Sequence, residues 1–582
     1  MGYNNGDWEA FWSRQVIESE FCPNKLTQPR FDRKEELMSF VEKKEKGITR
    51  KTFVKREAIG TVEGGRAGVS SSWDPKEKEA AKLKPWVPEK WDYEVDIAVV
   101  GYGGAGACAA IAGHDTGAKV LILEKAPVSG GNTIASAGLS AIPSDVAKAI
   151  EYYRALIGRT VDEELICALA EAMHKLPNWL ERLGAKLMYS SHSPEYPVLA
   201  GSDSFFQTMH LARTPSQRED GMEWIYGNEL FDFLANQVEK RDIRVVYEMP
   251  AQKLIQNPVT REILGVKAEN LGREIYVKAR RGVVLACGGF ENNKEMLVNF
   301  LPYLTELPIY PLGTPYNTGD GILMASEVGA KLWHMTGVEL GNFAPKAPSQ
   351  KFGVGFRLVR QLPKGSPAIY INKYGERFMN ESILLSHRKE FFKVQYFDHE
   401  RAEYPNIPFY MVFDETFRKK GPIVHTHHAW WCISKLYKWS HDNSAEIKLG
   451  WILSANTIKE LAEKIEVDSH ALEETVRKYN EYCEIGEDSG FGRSREWLVP
   501  IDTPPYYATE LCEPIINTQG GPKHNARSQV LDRNDKPIPR LYAAGELGSV
   551  FFPLYQGGSN VPEALAFGRI AGEHAATLMP WQ

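Results

Sequence analysis

Apolar and polar residues follow patterns that change along the chain, and each pattern predicts a kind of secondary structure. The apolar run DIAVV at residues 96–100 is typical of a strand buried on both faces. The small-residue segment ACAAIAGHDTG at residues 107–117 predicts a helix, and KVLILEK at residues 119–125 predicts a second buried strand. This strand–helix–strand order is typical of the α/β class.

Later segments divide the chain further. Residues 1–90 are polar, with many Lys and Glu, and predict an extension that packs on the main body or is partly mobile. The alternating segments RVVYEMPAQKLIQN and VVLACGGF predict more strands between residues 244 and 290. Residues 336–511 mix helical and strand patterns and are rich in aromatic residues, and after Pro514 the chain returns to strands and glycine turns.

Composition excludes several classes of protein. A chain of 582 residues predicts two or three domains, and 43% hydrophobic with 25% charged residues is typical of a globular enzyme. The net charge is −6 and no basic stripe is present, so we expect no binding to nucleic acid. No apolar run is long enough to cross a bilayer, so we expect no membrane span.

The cysteines and one N-terminal segment bear on location. Seven scattered cysteines without a Cys-x-x-Cys pair favour a reducing compartment and exclude metal clusters built on local motifs. Residues 47–68 resemble a twin-arginine export signal, but Glu57, Glu63 and Arg66 interrupt the apolar region that such a signal needs. We therefore expect a cytoplasmic protein.

A glycine motif lies between the first predicted strand and the helix. Gly101, Gly103 and Gly106 form Gly-x-Gly-x-x-Gly, and Glu124 follows at the end of the second strand. In this context glycines let the backbone and the helix N-terminus approach a pyrophosphate, and the acid accepts hydrogen bonds from ribose hydroxyls. The motif therefore predicts a dinucleotide site.

Eight motifs follow one another along the chain: VVGYGGAGACAA, LILEK, GGNTIASAG, VVLACGGF, NTGDGILMASEVGA, IYINKYGERFMNE, PRLYAAGELG and GGSNVPEALAFGRIAG. In this order they resemble the motifs of the flavoprotein superfamily that contains fumarate reductases, urocanate reductases and 3-ketosteroid dehydrogenases. The resemblance covers roughly residues 94–582. It implies an α/β fold with a Rossmann-like FAD-binding domain, residues 91–335 and 512–582, split by an inserted α+β substrate or capping domain, residues 336–511.

The resemblance implies FAD as the cofactor and no metal. Asn132 and Thr133 stand where covalent relatives carry a histidine, so we expect non-covalent FAD. The helix that begins near Ser559 would place positive potential beside flavin N1 and O2. The expected cofactor-binding residues are Gly101, Gly103, Gly104, Ala105, Gly106, Glu124, Lys125, Gly130, Gly131, Asn132, Thr133, Ser136, Ala137, Gly138, Ala251, Ala286, Gly288, Asp320, Gly545, Glu546, Ser559, Asn560 and Val561.

Three positions depart from the fumarate-reductase pattern. Relatives that reduce fumarate carry a histidine, an arginine and a proton-donating arginine where this chain has Asn517, Tyr555 and Leu385. All three residues are neutral, and an unpaired substrate carboxylate in a desolvated site costs several kcal/mol. The sequence therefore argues against fumarate and weakens the case for urocanate.

Tyr555 matches the tyrosine that the ketosteroid dehydrogenases carry at this place. Its phenol can donate a hydrogen bond to a ketone oxygen as the enolate forms, with the backbone N–H of Gly558 or Ser559 as a second donor. The alternative is a buried tyrosine that only packs. For proton transfer we expect His387 or Arg388, which lie just past the family arginine, or Tyr316.

These features predict an FAD-dependent oxidoreductase that reduces or introduces a C=C bond conjugated to a carbonyl, on an apolar, cyclic enone or 3-ketosteroid-like substrate. The alternatives are an enoate reductase and a flavin-carrying electron-transfer subunit of a membrane complex. The electron donor or acceptor is unknown, and no second dinucleotide motif indicates a built-in NAD(P)H site. The segment HTHHAWW, His425–Trp431, suggests a metal, but we expect an aromatic, substrate-facing loop there.

Overall fold

The computed structural model describes most of the chain from residue 87 onward. The predicted extension and the signal-like segment therefore lie almost wholly outside the described residues, as do Leu385 and Arg388. Residues 82–582 form one compact unit, and the division at residues 335/336 and 511/512 stays a prediction. The described ranges are 87–138, 140–212, 227–304, 307–358, 365–382, 387, 391–426 and 429–581.

The described strands build two large sheets and two small ones. They are β1 (Tyr93–Val100), β2 (Val120–Leu123), β3 (Ser140–Ala141), β4 (Leu187–Ser191), β5 (Gln207–Leu211), β6 (Arg244–Val246), β7 (Ala251–Gln256), β8 (Ile263–Asn270), β9 (Arg273–Leu285), β10 (Ile309–Pro311), β11 (Leu332–Trp333), β12 (Val338–Leu340), β13 (Ala344–Pro345), β14 (Ala368–Asn372), β15 (Phe409–Asp414), β16 (Leu453–Ala455), β17 (Tyr506–Thr518), β18 (Gly521–Pro522), β19 (Gln529–Leu531) and β20 (Pro537–Ala543).

The described α-helices vary from one turn to five. They are α1 (Gly104–Asp115), α2 (Gly131–Ala135), α3 (Val146–Ile157), α4 (Glu163–Arg182), α5 (Gly227–Glu239), α6 (Lys294–Phe300), α7 (Asp320–Glu327), α8 (Lys346–Phe352), α9 (Phe391–Val394), α10 (Glu415–Arg418), α11 (Trp430–Ile433), α12 (Ser444–Lys448), α13 (Ile458–Lys464), α14 (Ser469–Ile485) and α15 (Asn560–Thr577). None of these is long and apolar enough to span a bilayer.

The first large sheet has a parallel centre in the order β20-β9-β1-β2-β6. All four residues of β2 and the last six of β1 are buried, because helices cover both faces of a parallel sheet. The antiparallel strands β7, β8 and β19 extend this sheet. The Rossmann-like α/β fold predicted from the apolar runs is confirmed.

Helices α1 and α15 pack against each other at very short range. A Cβ atom added at Gly568 would lie 2.3 Å from the carbonyl oxygen of Ala105, and one added at Gly572 would lie 2.1 Å from that of Ala109. The two contacts are four residues apart on both helices, so they lie on one face of each helix, where the residues are small. This close packing fixes the N-termini of both helices near each other.

The second large sheet is built around β17, which pairs with β10, β12, β13, β15 and β16. A buried ion network holds the RFMNE motif, residues 377–381. Within it, Arg377 donates to Glu381 at 2.7 Å and to Asp488 at 2.9 Å. The Arg377 and Glu381 side chains are almost fully buried. These ion pairs therefore fix the RFMNE segment in the fold.

Candidate functional site

A deep cavity opens where the N-termini of α1 and α15 meet. Its volume is about 280 Å³, close to the lower end of the ~300–1,000 Å³ range of small-molecule pockets. Its wall joins the glycine turn after β1 to the turn that carries Tyr555. The predicted cofactor residues on its wall are Gly101, Gly103, Gly104, Ala105, Glu124, Lys125, Gly131, Asn132, Thr133, Ser136, Ala137, Ala251, Ala286, Gly288, Asp320, Gly545, Glu546, Asn560 and Val561.

Four other predicted residues stand behind this wall and are not part of it. They are Gly106, Gly130, Gly138 and Ser559. Gly106 has a clear packing role, since an added Cβ would lie 2.0 Å from the carbonyl oxygen of Gly101.

The turn between β1 and α1 fits a pyrophosphate. Gly101 has φ of +102°, and a Cβ atom there would lie 2.4 Å from the carbonyl oxygen of Ala286. Gly103 caps α1, and no acidic residue lies in the first helical turn. The backbone can thus approach an anion closely, and the helix N-terminus presents N–H groups and positive potential to it.

Glu124 has a structural role that its sequence position did not predict. Its two carboxylate oxygens accept backbone N–H bonds from Tyr102 and Ala126, both at 2.7 Å. Burial raises the pKa of Glu124, and these two bonds oppose the shift. Each oxygen keeps a second lone pair, so the carboxylate can hold the glycine turn and still accept from ribose hydroxyls.

Two further predicted residues form an ion pair on the wall. The Lys125 ammonium donates to Asp320 at 2.6 Å and to Thr318 at 2.6 Å. Because the positive charge of Lys125 is matched by Asp320, the pair fixes the start of α7 against the end of β2. This contact joins segments that lie 195 positions apart.

The GGNT loop rests on a buried pair of carboxyl groups. The amide of Asn132 donates to Glu291 at 2.8 Å and to Glu546 at 2.9 Å, and the amide of Asn317 bonds to the same two groups. Burial and the adjacent Glu291 raise the pKa of Glu546 well above its usual range. Sequence reasoning missed Glu291, which directly follows the Gly-Gly-Phe turn.

Tyr555 is buried on the wall at the start of α15. Its phenol oxygen accepts the backbone N–H of Gly558 at 3.1 Å and that of Asn560 at 3.3 Å. Burial is the main cause that raises the pKa of Tyr555, and the negative charges of Glu339 and Glu195 add to it. The phenol is therefore a neutral donor whose oxygen is already held by the backbone.

The expected second donor, the N–H of Gly558 or Ser559, is bonded within the turn in this structure, and its role toward a substrate stays a prediction. The N–H of Gly558 is used by Tyr555 itself, and the N–H of Ser559 donates to the carbonyl of Gln556 at 3.0 Å. Both amides are satisfied within the turn, because the phenol oxygen of Tyr555 and the carbonyl oxygen of Gln556 lie within hydrogen-bond distance. Tyr555 therefore remains as the donor of this turn.

Besides Lys125, three basic side chains lie on the cavity wall: His387, His192 and Arg357. His387 was predicted, and its ring lies edge-on to that of Tyr555 at a centroid distance of 4.8 Å. Arg357 is buried, with 8% exposed, and sequence reasoning missed it because no motif surrounds it. The cavity is thus not free of cations, in contrast to the three neutral positions seen in the sequence.

Two more predicted residues and one residue of HTHHAWW also line this wall, whereas Trp430 and Trp431 do not. His427 and His428 lie outside the described residues. Tyr316 and Asn517 both line the cavity, and Asn517 accepts from the side-chain amide of Asn560 at 3.0 Å. Within HTHHAWW, Ala429 lines the cavity and its N–H donates to Ala135 at 2.9 Å. No group of three His, Cys, Asp or Glu side chains suited to a metal was found among the described residues.

Curated proteins similar to this chain include several oxidoreductases. The chain is 29% identical over 498 residues to the NADH:fumarate oxidoreductase of Klebsiella pneumoniae, covering 83% of this chain but only about half, 47%, of that protein. It is 29% identical over 527 residues to the urocanate reductase of Eggerthella lenta, covering 88% and 78%. It is 26% identical over 575 residues to the 3-oxosteroid 1-dehydrogenase of Mycobacterium tuberculosis, covering 83% and 98%.

A solved structure and a family model give the fold and the family. The 3-ketosteroid delta1-dehydrogenase from Sterolibacterium denitrificans superposes with a TM-score of 0.69 at 23% identity, over 83% of this chain and 99% of that one, which shows a shared fold. A family model described as FAD binding domain matches residues 96–561. This match shows that the chain belongs to the FAD binding domain family and, together with the oxidoreductase relatives, that it is an FAD-dependent oxidoreductase.

Proposed function

We propose that this flavoprotein acts on CH–CH bonds and reduces or introduces a C=C bond conjugated to a carbonyl, on a cyclic enone or 3-ketosteroid-like substrate. The observation that carries the proposal is the hydroxyl of Tyr555. Its oxygen accepts two backbone N–H bonds, its own O–H remains available to a further acceptor, and the residue lines the cavity. A ketone oxygen is such an acceptor, and it gains negative charge as an enolate forms.

The cofactor would occupy the opposite part of the cavity. FAD supplies hydride chemistry at its isoalloxazine ring when bound. Gly101, Gly103 and the N-terminus of α1 would hold the pyrophosphate, and Glu124 would hold the adenosine ribose. Asn132 and Thr133 would lie along the isoalloxazine, and since neither is a histidine, FAD is bound non-covalently in this proposal.

The domain arrangement is part of the same proposal. Residues 91–335 and 512–582 would bind FAD, and residues 336–511 would cover the substrate. In support, the described wall combines glycine turns from the first set with Arg357 and Ala429 from the second.

The role of Tyr555 is to polarise the carbonyl. A hydrogen bond to the carbonyl oxygen makes the neighbouring C–H more acidic and stabilises the enolate on either path, reduction or desaturation. One such donor contributes roughly 2.7–4 kcal/mol to the stability of a developing oxyanion. The low exposure of Tyr555, 7%, keeps water from competing for the same oxygen.

A second candidate is an enoate reductase, and Arg357 favours it. The argument against acids depended on three neutral positions, whereas Arg357 provides a buried cation at another place on the same wall. An arginine can bind a carboxylate through two parallel hydrogen bonds. The relatives that act on fumarate and urocanate are consistent with this candidate, and the 3-oxosteroid relative is consistent with the first.

One experiment tests both candidates. The holoenzyme is reduced anaerobically with dithionite, and flavin reoxidation is followed with matched pairs of cyclic unsaturated compounds that carry either a ketone or a carboxylate. We expect the ketones to reoxidise the flavin faster. Reoxidation by no compound would refute both candidates and favour an electron-transfer subunit.

Arg357→Leu separates the two candidates. If acids are the substrates, this variant raises KM for the acid roughly 10- to 150-fold, as expected for a lost charge-assisted hydrogen bond, and leaves the ketone unaffected. Arg533→Leu removes an exposed arginine and serves as the control. An acid whose KM is unchanged in Arg357→Leu would remove the reason for the second candidate.

A further inference from the structure

Glu195 and His387 form a buried pair beside Tyr555. Nδ1 of His387 lies 3.9 Å from Oε1 of Glu195, and the two side chains are only 9% and 8% exposed. His387 lines the cavity and packs edge-on against the Tyr555 ring. The two residues are far apart in sequence, so the fold alone brings them together.

Neither polar atom of this pair has another hydrogen-bond partner among the described residues. A buried carboxylate oxygen without a partner is costly, and an imidazolium is the partner that would satisfy it. The separation of 3.9 Å is slightly longer than a hydrogen bond, and catalytic contacts in unliganded enzymes are often long. The pair is thus arranged so that an N–H at Nδ1 of His387 can donate to Glu195 after a small movement.

The two residues after Tyr555 hold this pair in place. Oε1 of Gln556 accepts the backbone N–H of Glu195 at 3.0 Å and the hydroxyl of Tyr152 at 2.6 Å, which anchors the Glu195 backbone. Gly557 leaves the space that the pair occupies, because a Cβ atom there would lie 2.8 Å from Oε2 of Glu195 and 3.3 Å from Cε1 of His387. The sequence YQGG therefore provides the phenol, the anchor and the space.

We propose that Glu195 is a positioning residue that holds the His387 imidazole in the cavity, where His387 exchanges a proton with the carbon next to the substrate carbonyl. This inference rests on the function proposed above. It assigns the proton-transfer group on geometry, and it gives Glu195 a role that no sequence motif indicated.

The step balances in both directions. In reduction, the β-carbon would receive the hydride that bound, reduced FAD supplies, and the C=C electron pair would move to give an enolate whose oxygen is hydrogen-bonded to Tyr555. The α-carbon then forms a C–H bond with the proton of the His387 imidazolium, and the N–H bond breaks. In desaturation the same bonds change in reverse, with neutral His387 as the base and FAD as the oxidant.

Deuterium exchange isolates the proton step from the hydride step. The oxidised holoenzyme is incubated anaerobically in D₂O with a saturated cyclic ketone, and deuterium at the α-carbon is measured by mass spectrometry. We expect His387→Gln to slow exchange at least ~100-fold, as for a lost general acid–base. We expect Glu195→Gln to slow it roughly 10-fold or more and Glu195→Asp to restore part of the rate, since a misplaced base loses part of the same contribution.

Two readouts distinguish positioning from a general structural effect. Glu195→Gln should lower kcat with ketones while KM, flavin content and melting temperature stay near those of the parent. Gly557→Ala should slow exchange although both members of the pair are kept, because the added methyl displaces them. His470→Gln and Glu473→Gln, which change exposed residues of α14, are the controls.

Parental exchange and kcat in Glu195→Gln would overturn the inference, and so would exchange that is absent from the parent enzyme. If Glu195→Gln loses flavin or melts early, Glu195→Asp and Gly557→Ala decide, and parental exchange in both overturns the inference. The proposed function fails separately, by the absence of flavin reoxidation with every unsaturated compound. Reoxidation by ketones with unaffected Glu195 variants would refute the role of Glu195 alone.

Discussion

Replacing Tyr555 by phenylalanine is the sharpest test of the carbonyl site. The change keeps the ring that packs on Phe551 and His387 and removes one oxygen. Loss of a single oxyanion donor lowers turnover on the order of 10²–10³. We therefore expect a fall of this size in ketone-driven flavin reoxidation, and a smaller fall with acids, which bring their own charge.

The same change has a cost in stability that the contacts allow us to estimate. The oxygen accepts two backbone N–H groups, at 3.1 Å and 3.3 Å, and both are left without this acceptor. A buried unsatisfied N–H costs about 1–3 kcal/mol. These bonds are at the long end of the normal range, so we expect a total loss of about 2 kcal/mol in the free energy of unfolding, taken from the low end of that cost.

The assay must separate these two effects. Turnover is measured per bound flavin at a temperature well below the unfolding transition, and stability is measured by denaturant unfolding. Tyr542→Phe is the control. Tyr542 lies on β20 and does not line the cavity wall, and the change removes a buried phenol oxygen that lies 2.9 Å from Nδ1 of His574. Tyr555→Phe with parental ketone turnover would refute the donor role and leave Tyr555 as a packing residue.

Three further predictions concern the cofactor and the pH dependence of stability. Acid precipitation should release yellow FAD into the supernatant, and flavin that stays with the pellet would contradict non-covalent binding. Glu124→Ala should weaken FAD binding by roughly 1–3 kcal/mol, measured by fluorescence titration. It should also destabilise the glycine turn, because the N–H groups of Tyr102 and Ala126 lose their acceptor. Unchanged affinity for FAD would exclude the ribose role of Glu124. Burial raises the pKa of Glu563 to about 8, so the folded protein keeps a proton that the unfolded chain releases, and stability should fall as pH rises from about 4.5 to about 8. Glu563→Gln should show a smaller fall in urea unfolding at the two pH values, and an equal fall would show that Glu563 is ionised in the folded state.

The FAD-binding fold was predictable because the sequence patterns that indicate it are local. The apolar run of β1, the glycine turn and the small-residue helix α1 are contiguous, and each step follows from the chain's own geometry. The same holds for α15, whose glycine turn and small residues stand next to each other in sequence. A single sequence therefore determined the fold class, the cofactor and most of its wall.

The substrate end was decided by tertiary structure. Arg357 stands in no motif, and Glu195 meets Gln556 from 361 positions away, so no spacing in the sequence reveals either contact. The hydrogen bond from the Gly558 N–H to the Tyr555 oxygen could not be predicted either, because the fold decides which acceptor lies closest to a backbone N–H. A cofactor turn is encoded by adjacent residues, whereas a substrate cavity is formed by distant side chains, and only packing determines which of them meet.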